Sequence, residues 1–216
     1  MKIKALIFDL DGVLVSTEHN HFIAWQKTAQ SLGIEFSESE NEMLKGVSRV
    51  DSLKKILELG GKSISEEYFN QLLQEKNDFY LDSIQDLTEN NLLKGVKQLL
   101  HNAKKNGLKL AVGSSSKNAK YILQLVGIIE LFDVIVDGND VTFPKPHPEV
   151  FLTGAHRMNC EPEACIVFED ALSGIQAAKV GNFTAIAVGN PTLKKEAHYY
   201  LEDLTHFRLE DHAELI

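Results

Sequence analysis

The sequence predicts an α/β protein, in which a parallel sheet with helices on both faces is interrupted by an inserted block of helices. The apolar run at residues 5–8 is typical of a strand buried on both faces of a sheet. From residue 92 onward, strand and helix patterns alternate along the chain. Because parallel strands need crossover connections, this alternation indicates a parallel sheet. Residues 18–85 break the alternation, since they carry helix signals and no convincing strand.

The composition indicates a soluble globular protein of one domain, or of one domain with an insertion. The chain has 216 residues, of which 44% are hydrophobic and 25% are charged. Its net charge of −9 and its lack of a basic stripe argue against nucleic acid and anionic membranes as partners. The two cysteines, Cys160 and Cys165, argue against a disulfide framework. The sequence has neither a signal-peptide pattern nor a transmembrane stretch, so we expect a cytoplasmic protein.

The first predicted strand ends in two acidic residues. Asp9 follows the apolar run directly, Asp11 comes two residues later, and Gly12 allows the chain to turn behind them. Side chains two residues apart along a strand point to the same side, so we expect both carboxylates to leave the strand end together. Two like charges this close oppose each other's ionisation unless a cation, a shared proton or a reaction requires the pair. This stretch is therefore the first candidate for a functional site.

The inserted segment is predicted to hold about four helices. Apolar side chains recur at helical spacing between residues 22 and 32. Later helical patterns each follow a serine that can serve as an N-cap, namely Ser37, Ser48 and Ser65. We therefore predict a core domain of residues 1–17 and 86–216 and a helical cap domain of residues 18–85.

Beyond the insertion, four helices and four strands are predicted in alternation. The predicted helices are residues 96–106, 119–126, 149–158 and 173–180, and the predicted strands are residues 108–112, 134–136, 165–168 and 184–188. Roughly the last 25 residues are weakly patterned, and no element is predicted there. In open parallel sheets, ligands bind beyond the carboxyl ends of the strands. We therefore expect the functional residues at that edge.

Acidic residues follow two of the predicted strands. Glu169 and Asp170 come after one strand, as Asp9 and Asp11 come after another. Together they would place up to four carboxylates at one edge of the sheet. Such a cluster requires a hard cation with oxygen ligands, and Mg²⁺ is the usual choice where phosphate is bound.

Two further polar residues suit phosphate chemistry at the same edge. Lys145 lies on a loop stiffened by prolines and can hold a phosphoryl group, while Ser114 adds a hydroxyl donor after another predicted strand. A carboxylate nucleophile, a divalent cation, a lysine and a hydroxyl are the parts that phosphoryl transfer needs. Ser114 and Lys145 therefore join the two aspartates as candidate catalytic residues.

These motifs, in this order, resemble those of the haloacid-dehalogenase-like phosphotransferases. The matching positions are DLDGVLVST at residues 9–17, Ser114, Lys145 and Glu169-Asp170. The match covers the whole chain, with the helical insertion where that family has its cap. The resemblance implies a Rossmann-like parallel sheet core with helices on both faces and an inserted α-helical cap domain. One departure is Ser16, at the hinge of the cap, where many relatives carry Asp.

The resemblance also implies roles for the acidic residues. Asp9 is expected to be the nucleophile, and Asp11 the general acid and base. One Mg²⁺ is expected to be bound by Asp9, by the backbone carbonyl of Asp11 and by Asp170. Glu169 is expected to assist in binding that metal.

The insertion carries a second set of phosphate-binding residues. Residues 45–53, KGVSRVDSL, combine a glycine turn, an arginine and a helix start, all of which favour phosphate oxygens. Residues 116–118 offer further donors, so the two stretches together can hold a second phosphate away from the metal. The space between the two phosphates can be lined by residues of the inserted helices. The candidate substrate-binding residues are His21, Trp25, Lys45, Gly46, Val47, Arg49, Ser52, Lys76, Ser116, Lys117 and Asn118.

The strings KGVSR, DSL and SKN resemble those of sugar-phosphate mutases in the same family. That resemblance implies interconversion of β-D-glucose 1-phosphate and β-D-glucose 6-phosphate, with glucose 1,6-bisphosphate as primer and intermediate. One alternative is a phosphatase of a sugar phosphate or another small phosphomonoester. Another is a non-catalytic sugar-phosphate sensor, against which the intact set of acids and lysine argues. Because the cap must swing open, we expect a monomer.

Overall fold

The computed structural model describes residues 2–205 and 207–208. In this described part of the chain, six strands form one sheet, and each neighbouring pair within it is parallel. The strands are β1 (Ala5–Phe8), β2 (Lys109–Gly113), β3 (Val134–Val136), β4 (Cys165–Glu169), β5 (Thr184–Val188) and β6 (Tyr199–Leu201). Their order across the sheet is β3-β2-β1-β4-β5-β6, which places the N-terminal strand in the interior of the sheet.

Eight α-helices accompany the sheet in the described part of the chain. Four of them lie between β1 and β2, namely α1 (Glu18–Ser31), α2 (Glu38–Asn41), α3 (Arg49–Leu59) and α4 (Glu66–Ser83). The others are α5 (Val96–Lys105), α6 (Ala119–Leu125), α7 (Glu149–Arg157) and α8 (Leu172–Val180).

Alternate residues of β1 pack against helices on opposite faces of the sheet. Leu6 and Phe8 belong to an apolar cluster with α5 and α6, whereas Ala5 and Ile7 belong to another with α7 and α8. This alternation is what a strand covered on both faces requires, and it explains the unbroken apolar run. Phe8 also stacks on Phe168 of β4, with ring centroids 4.8 Å apart.

The inserted helices form an apolar cluster of their own. Trp25 of α1, Leu53 and Ile56 of α3 and Leu72 of α4 are among its buried members. The N-cap serines of α3 and α4 accept hydrogen bonds from backbone N–H groups three residues later, as the sequence predicts. The insertion therefore has a core of its own, and Ala24, Tyr80 and Ile84 join it to the cluster that contains Leu6 and Phe8.

The predicted fold class is confirmed, and the predicted elements between residues 96 and 188 begin and end within one or two residues of the observed ones. The interpretation of the last residues was incomplete, because β6 lies among them; it is short and half-buried, so it has little apolar pattern. Residues 1, 206 and 209–216 of the predicted core domain lie outside the described residues. The division into core and cap domains stays a prediction. Within the described residues, no helix has the length and apolar character needed to cross a membrane.

Candidate active site

The carboxyl ends of three adjacent strands bring the predicted catalytic residues together. Asp9 follows β1, Ser114 follows β2, and Glu169 is the last residue of β4. Strands β2 and β4 flank β1 in register, so their ends meet at one edge of the sheet. Lys145 reaches this edge from the loop that precedes α7.

Lys145 lies between two carboxylates in the interior of the protein. Its Nζ is 2.5 Å from Oδ1 of Asp9 and 2.7 Å from Oε1 of Glu169, and its side chain is 0% exposed. Burial opposes the lysine charge, but the two carboxylates outweigh it and raise the lysine pKa above its ordinary value. Lys145 is therefore a fixed cation beside the predicted nucleophile.

Three buried carboxylates form a group that can hold a metal ion. One oxygen each from Asp9, Glu169 and Asp170 lies within 4.8 Å of the others. Burial raises the pKa of Asp9 to about 7, although Lys145 acts in the opposite direction. Burial, together with Glu169 and Asp9, raises the pKa of Asp170 well above its ordinary value. A divalent cation with oxygen ligands relieves this repulsion, so the residues present fit Mg²⁺.

Gly12 makes room for this group. Its φ of +79° is one that side chains rarely allow, and a β-carbon there would lie only 2.2 Å from Oδ2 of Asp170. The turn behind the two aspartates therefore requires glycine both for its conformation and for the space that Asp170 occupies.

The carboxylate of Asp11 points into the space between the sheet edge and the insertion. It accepts a hydrogen bond from Oγ1 of Thr17, and Nε2 of His21 is 3.9 Å from its Oδ2. Burial, and then the charge of Asp9, raise the pKa of Asp11 to about 8. A carboxyl group that holds its proton near neutral pH suits a general acid.

The insertion contributes a buried lysine. Lys76 is 3% exposed, and its Nζ lies 2.9 Å from Nδ1 of His21 and 4.7 Å from the ring centroids of Trp25 and Tyr80. Burial, and then the charge of Arg49, lower the lysine pKa to about 7. Burial and Lys76 likewise lower the pKa of His21 well below its ordinary value. The surroundings of Lys76 thus disfavour its charge until an anion arrives.

Arg49 is the first residue of α3, so it lies at the positive end of that helix. Ser48 caps the helix by accepting a hydrogen bond from the backbone N–H of Asp51, with N···O 3.2 Å. The guanidinium of Arg49 is half-buried, and burial lowers its pKa. Arginine and a helix N-terminus together suit phosphate oxygens, as the sequence predicts.

Among the described residues, three hydrogen bonds join the insertion to the sheet edge. Oγ of Ser115 donates to the carbonyl oxygen of Gly46 at 2.9 Å, and Oγ of Ser173 donates to that of Lys45 at 3.4 Å. On the other side, Nδ2 of Asn118 donates to Oδ1 of Asn77 on α4 at 3.0 Å. The insertion is therefore closed over the strand ends.

The closed arrangement encloses a cavity of about 440 Å³. All the sequence-predicted site residues border it except Glu169, which is fully buried behind Lys145. Those that border it are Asp9, Asp11, His21, Trp25, Lys45, Gly46, Val47, Arg49, Ser52, Lys76, Ser114, Ser116, Lys117, Asn118, Lys145 and Asp170. Their functional roles stay predictions.

The sequence interpretation missed several residues of this site. Glu18, Asn77 and Ser115 also border the cavity, and Tyr80 lies against His21 with ring centroids 4.0 Å apart. Glu18 looks like an ordinary acid in the first turn of a helix, and Tyr80 like an apolar face residue. Only Ser115 carried a signal, because it adjoins Ser114 in the loop after β2.

Comparison with known proteins places these features in a family. A model described as haloacid dehalogenase-like hydrolase matches residues 3–182. A β-phosphoglucomutase of Bacillus subtilis is 41% identical over 190 residues, which cover 86% of this chain and 83% of that protein. The crystal structure of β-phosphoglucomutase from Clostridium difficile has a TM-score of 0.94 and 40% identity, covering 99% of this chain and 96% of that one.

A phosphatase is also among the relatives. The phosphorylated carbohydrates phosphatase of Thermotoga maritima is 33% identical over 179 residues, covering 82% of this chain and 80% of that protein. The similarity to the Clostridium difficile structure agrees with the parallel sheet and the inserted helices described above. The chain therefore belongs to the haloacid dehalogenase-like hydrolase family.

Proposed function

We propose that this chain is a phosphomutase that interconverts β-D-glucose 1-phosphate and β-D-glucose 6-phosphate. The observation that carries the proposal is that one closed cavity is bordered by Asp9 and by a separate group of cations and donors around Arg49 and Lys117. A mutase needs both, because one phosphate must react while the other is held. The similarity to two β-phosphoglucomutases supports this proposal.

In the proposed reaction, Asp9 is the nucleophile. Its carboxylate attacks the phosphorus of glucose 1,6-bisphosphate, the bond from phosphorus to the sugar oxygen breaks, and an aspartyl-phosphate remains. In the reverse step, a sugar hydroxyl attacks that phosphorus and the bond to Asp9 breaks. If the sugar turns over between the two steps, the 1-phosphate becomes the 6-phosphate or the reverse.

Asp11 moves the proton in both steps. With its raised pKa it can protonate the leaving sugar oxygen when Asp9 is phosphorylated, and then remove the hydroxyl proton when the phosphoryl group returns. Thr17 donates a hydrogen bond to one oxygen of the Asp11 carboxylate, and Nε2 of His21 lies 3.9 Å from the other. Because Asp11 faces His21 of the insertion, we expect Asp11 to lie on the sugar side of the reacting phosphorus.

Lys145 and Ser114 hold the transferring phosphoryl group. The lysine supplies a permanent positive charge next to Asp9, and the buried serine supplies a hydroxyl donor. Asp9, Glu169, Asp170 and the backbone carbonyl of Asp11 would hold Mg²⁺, which supplies neutralisation of the phosphoryl charge when it is bound.

The other phosphate is held by the insertion and by the loop after β2. Arg49, Lys117 and the donors of Ser116 and Asn118 border that end of the cavity. Lys76 regains its charge when an anion enters, because the anion offsets the burial that lowers its pKa. The closed insertion excludes water from the aspartyl-phosphate, which favours transfer to sugar over hydrolysis.

An assay with both anomers tests the proposal. The enzyme is supplied with Mg²⁺ and trace glucose 1,6-bisphosphate, and glucose 6-phosphate is measured by a coupled dehydrogenase. We expect glucose 6-phosphate to form from β-glucose 1-phosphate and not from the α anomer. Free glucose and inorganic phosphate as the main products would contradict the proposal.

The second candidate function is a phosphatase of sugar phosphates. The similarity to the Thermotoga maritima phosphatase favours it, because the same nucleophile serves hydrolysis when water replaces the sugar hydroxyl. The product ratio in the assay above separates the two functions. A cytoplasmic location and a monomeric state are expectations from the sequence that accompany either function.

A further inference from the structure

Glu18 is a carboxylate that the proposed reaction does not use. It begins helix α1, borders the cavity and keeps 38% of its side chain exposed. A β-carbon on Gly12 would lie 3.0 Å from Oε1 of Glu18 and 2.2 Å from Oδ2 of Asp170. Because both oxygens approach the same point, the two carboxylates face each other across the space that Gly12 leaves open.

The same oxygen of Glu18 also contacts a cation of the insertion. Nζ of Lys45 lies 3.3 Å from Oε1 of Glu18 and 3.0 Å from Oε1 of Glu42. Lys45 is anchored to the sheet side through its carbonyl oxygen, which accepts the hydrogen bond from Ser173. Glu18 thus stands between the loop of residues 45–47 and the metal-binding carboxylates, whereas Glu42 does not border the cavity.

This position gives Glu18 an electrostatic role. A further carboxylate facing Asp170 adds repulsion that a divalent cation relieves. Mg²⁺ keeps several waters when it binds to proteins, and groups that accept hydrogen bonds from its hydration shell raise the affinity. We propose that Glu18 is a positioning residue of the Mg²⁺ site, which raises metal affinity without ligating the metal and ties the site to Lys45. The inference rests on the proposed metal site.

Metal binding without substrate tests this role. Isothermal titration of metal-free enzyme with MgCl₂ is compared for wild type, Glu18→Gln and Glu42→Gln. Removing an outer partner of a metal site typically costs about 10- to 100-fold in affinity, so we expect the dissociation constant of Glu18→Gln to rise at least about 10-fold. Glu42→Gln is the matched control, because it removes the other partner of Lys45, and we expect it to change by less than about twofold. Thermal unfolding of the metal-free variants verifies that each is folded.

Two results of this titration would overturn the inference. An unchanged Mg²⁺ affinity in Glu18→Gln would overturn the inference, and so would equal weakening by both variants, because Lys45 alone would then explain the effect. Asp170→Asn separates this inference from the proposed function. If Asp170→Asn abolishes Mg²⁺ binding while Glu18→Gln does not weaken it, only the role of Glu18 fails. If Asp170→Asn binds Mg²⁺ as wild type does, the proposed metal site is wrong and the role of Glu18 falls with it.

Discussion

The charged groups on the two sides of the cavity differ in whether they have ion-pair partners. On the core side, which we define as Asp9, Lys145, Glu169 and Asp170, the lysine contacts two carboxylates directly. On the insertion side, defined as His21, Arg49 and Lys76, no carboxylate of the described residues lies within ion-pairing distance of Arg49 or Lys76. The charge of Arg49 also lowers the pKa of Lys76.

This difference separates reaction from recognition. The core side is arranged for chemistry before the substrate arrives, since its lysine already neutralises the nucleophile. On the insertion side, Arg49 and Lys76 have no carboxylate partner among the described residues, and a phosphate supplies that partner on binding. Changes on the core side should therefore affect every phosphoryl transfer, whereas changes on the insertion side should affect which substrate reacts and where its phosphate goes.

The largest effect is expected from Asp9→Asn. The amide cannot attack phosphorus, so both mutase flux and hydrolysis of a small phosphate ester should fall by at least about 10⁴-fold. Lys145 keeps Glu169 as a partner in this variant, so circular dichroism and thermal unfolding should show a folded protein. Retention of more than about 1% of either activity would contradict the assignment of the nucleophile.

The buried cation of the insertion side should be visible in stability at high pH. In the metal-free protein the pKa of Lys76 is about 7, against an ordinary 10.5. Below pH 7 Lys76 is protonated in both the folded and the unfolded chain, so the burial of its charge lowers the free energy of unfolding by its full amount. Between pH 7 and 10.5 only the unfolded chain holds it, so this contribution to the free energy of unfolding rises with pH.

Lys76→Met removes that contribution. Its free energy of unfolding relative to wild type should be higher at pH 6 than at pH 10, by up to about 4 kcal/mol. Urea unfolding at the two pH values measures the difference, and Lys117→Met, which removes an exposed lysine, is the control. A relative stability that is the same at both pH values would mean that Lys76 keeps its charge in the folded protein.

A smaller effect, confined to one substrate class, is expected from Arg49→Ala. Loss of hydrogen bonds to a charged group costs about 1.5–3 kcal/mol, so mutase flux should fall about 10- to 100-fold. Hydrolysis of p-nitrophenyl phosphate, which has no second phosphate, should change by less than about threefold. If both activities fall equally, the insertion side does not hold a separate phosphate.

The smallest effect is expected from the contact between α4 of the insertion and the loop after β2. Asn77→Ala removes one neutral hydrogen bond, to Asn118, worth about 1 kcal/mol. Closure becomes less complete, and the ratio of inorganic phosphate to glucose 6-phosphate should rise about fivefold. Asn102→Ala on α5 is the control, because the Asn102 side chain pairs with Gln98 of its own helix. No change in the ratio would mean that this contact does not limit water entry.

The core side was predictable from the sequence because strand ends converge by topology. Once the apolar runs are recognised as parallel strands, the residues that follow them must meet at one edge, as Asp9, Ser114 and Glu169 do. The strand β6 was missed because three half-buried residues leave no pattern. Its pairing with β5 depends on tertiary packing that local sequence does not encode.

For the insertion side, the sequence predicted only candidate residues and not their contacts. Helical spacing does not distinguish Trp25, which borders the cavity, from Leu72, which packs among the helices. Lys76 and His21 are in contact although they lie 55 positions apart on two helices, and no periodic pattern in the sequence indicates such a pair. Glu18 was overlooked for the same reason, since its partners depend on how the insertion lies over Gly12.

The interior position of β1 has a consequence for how the protein fluctuates. Every residue of this strand pairs with β2 on one side and with β4 on the other, so its amide groups can exchange with solvent only when the sheet itself opens. The reacting carboxylate is thus attached to a segment whose protection approaches that of global unfolding. The insertion is held to the sheet edge by hydrogen bonds and by the packing of Ala24, Tyr80 and Ile84 against the apolar cluster of the core. Breaking these contacts does not require β1 to separate from its neighbouring strands. On heating, we therefore expect Asp9 to leave its position only when the sheet itself unfolds.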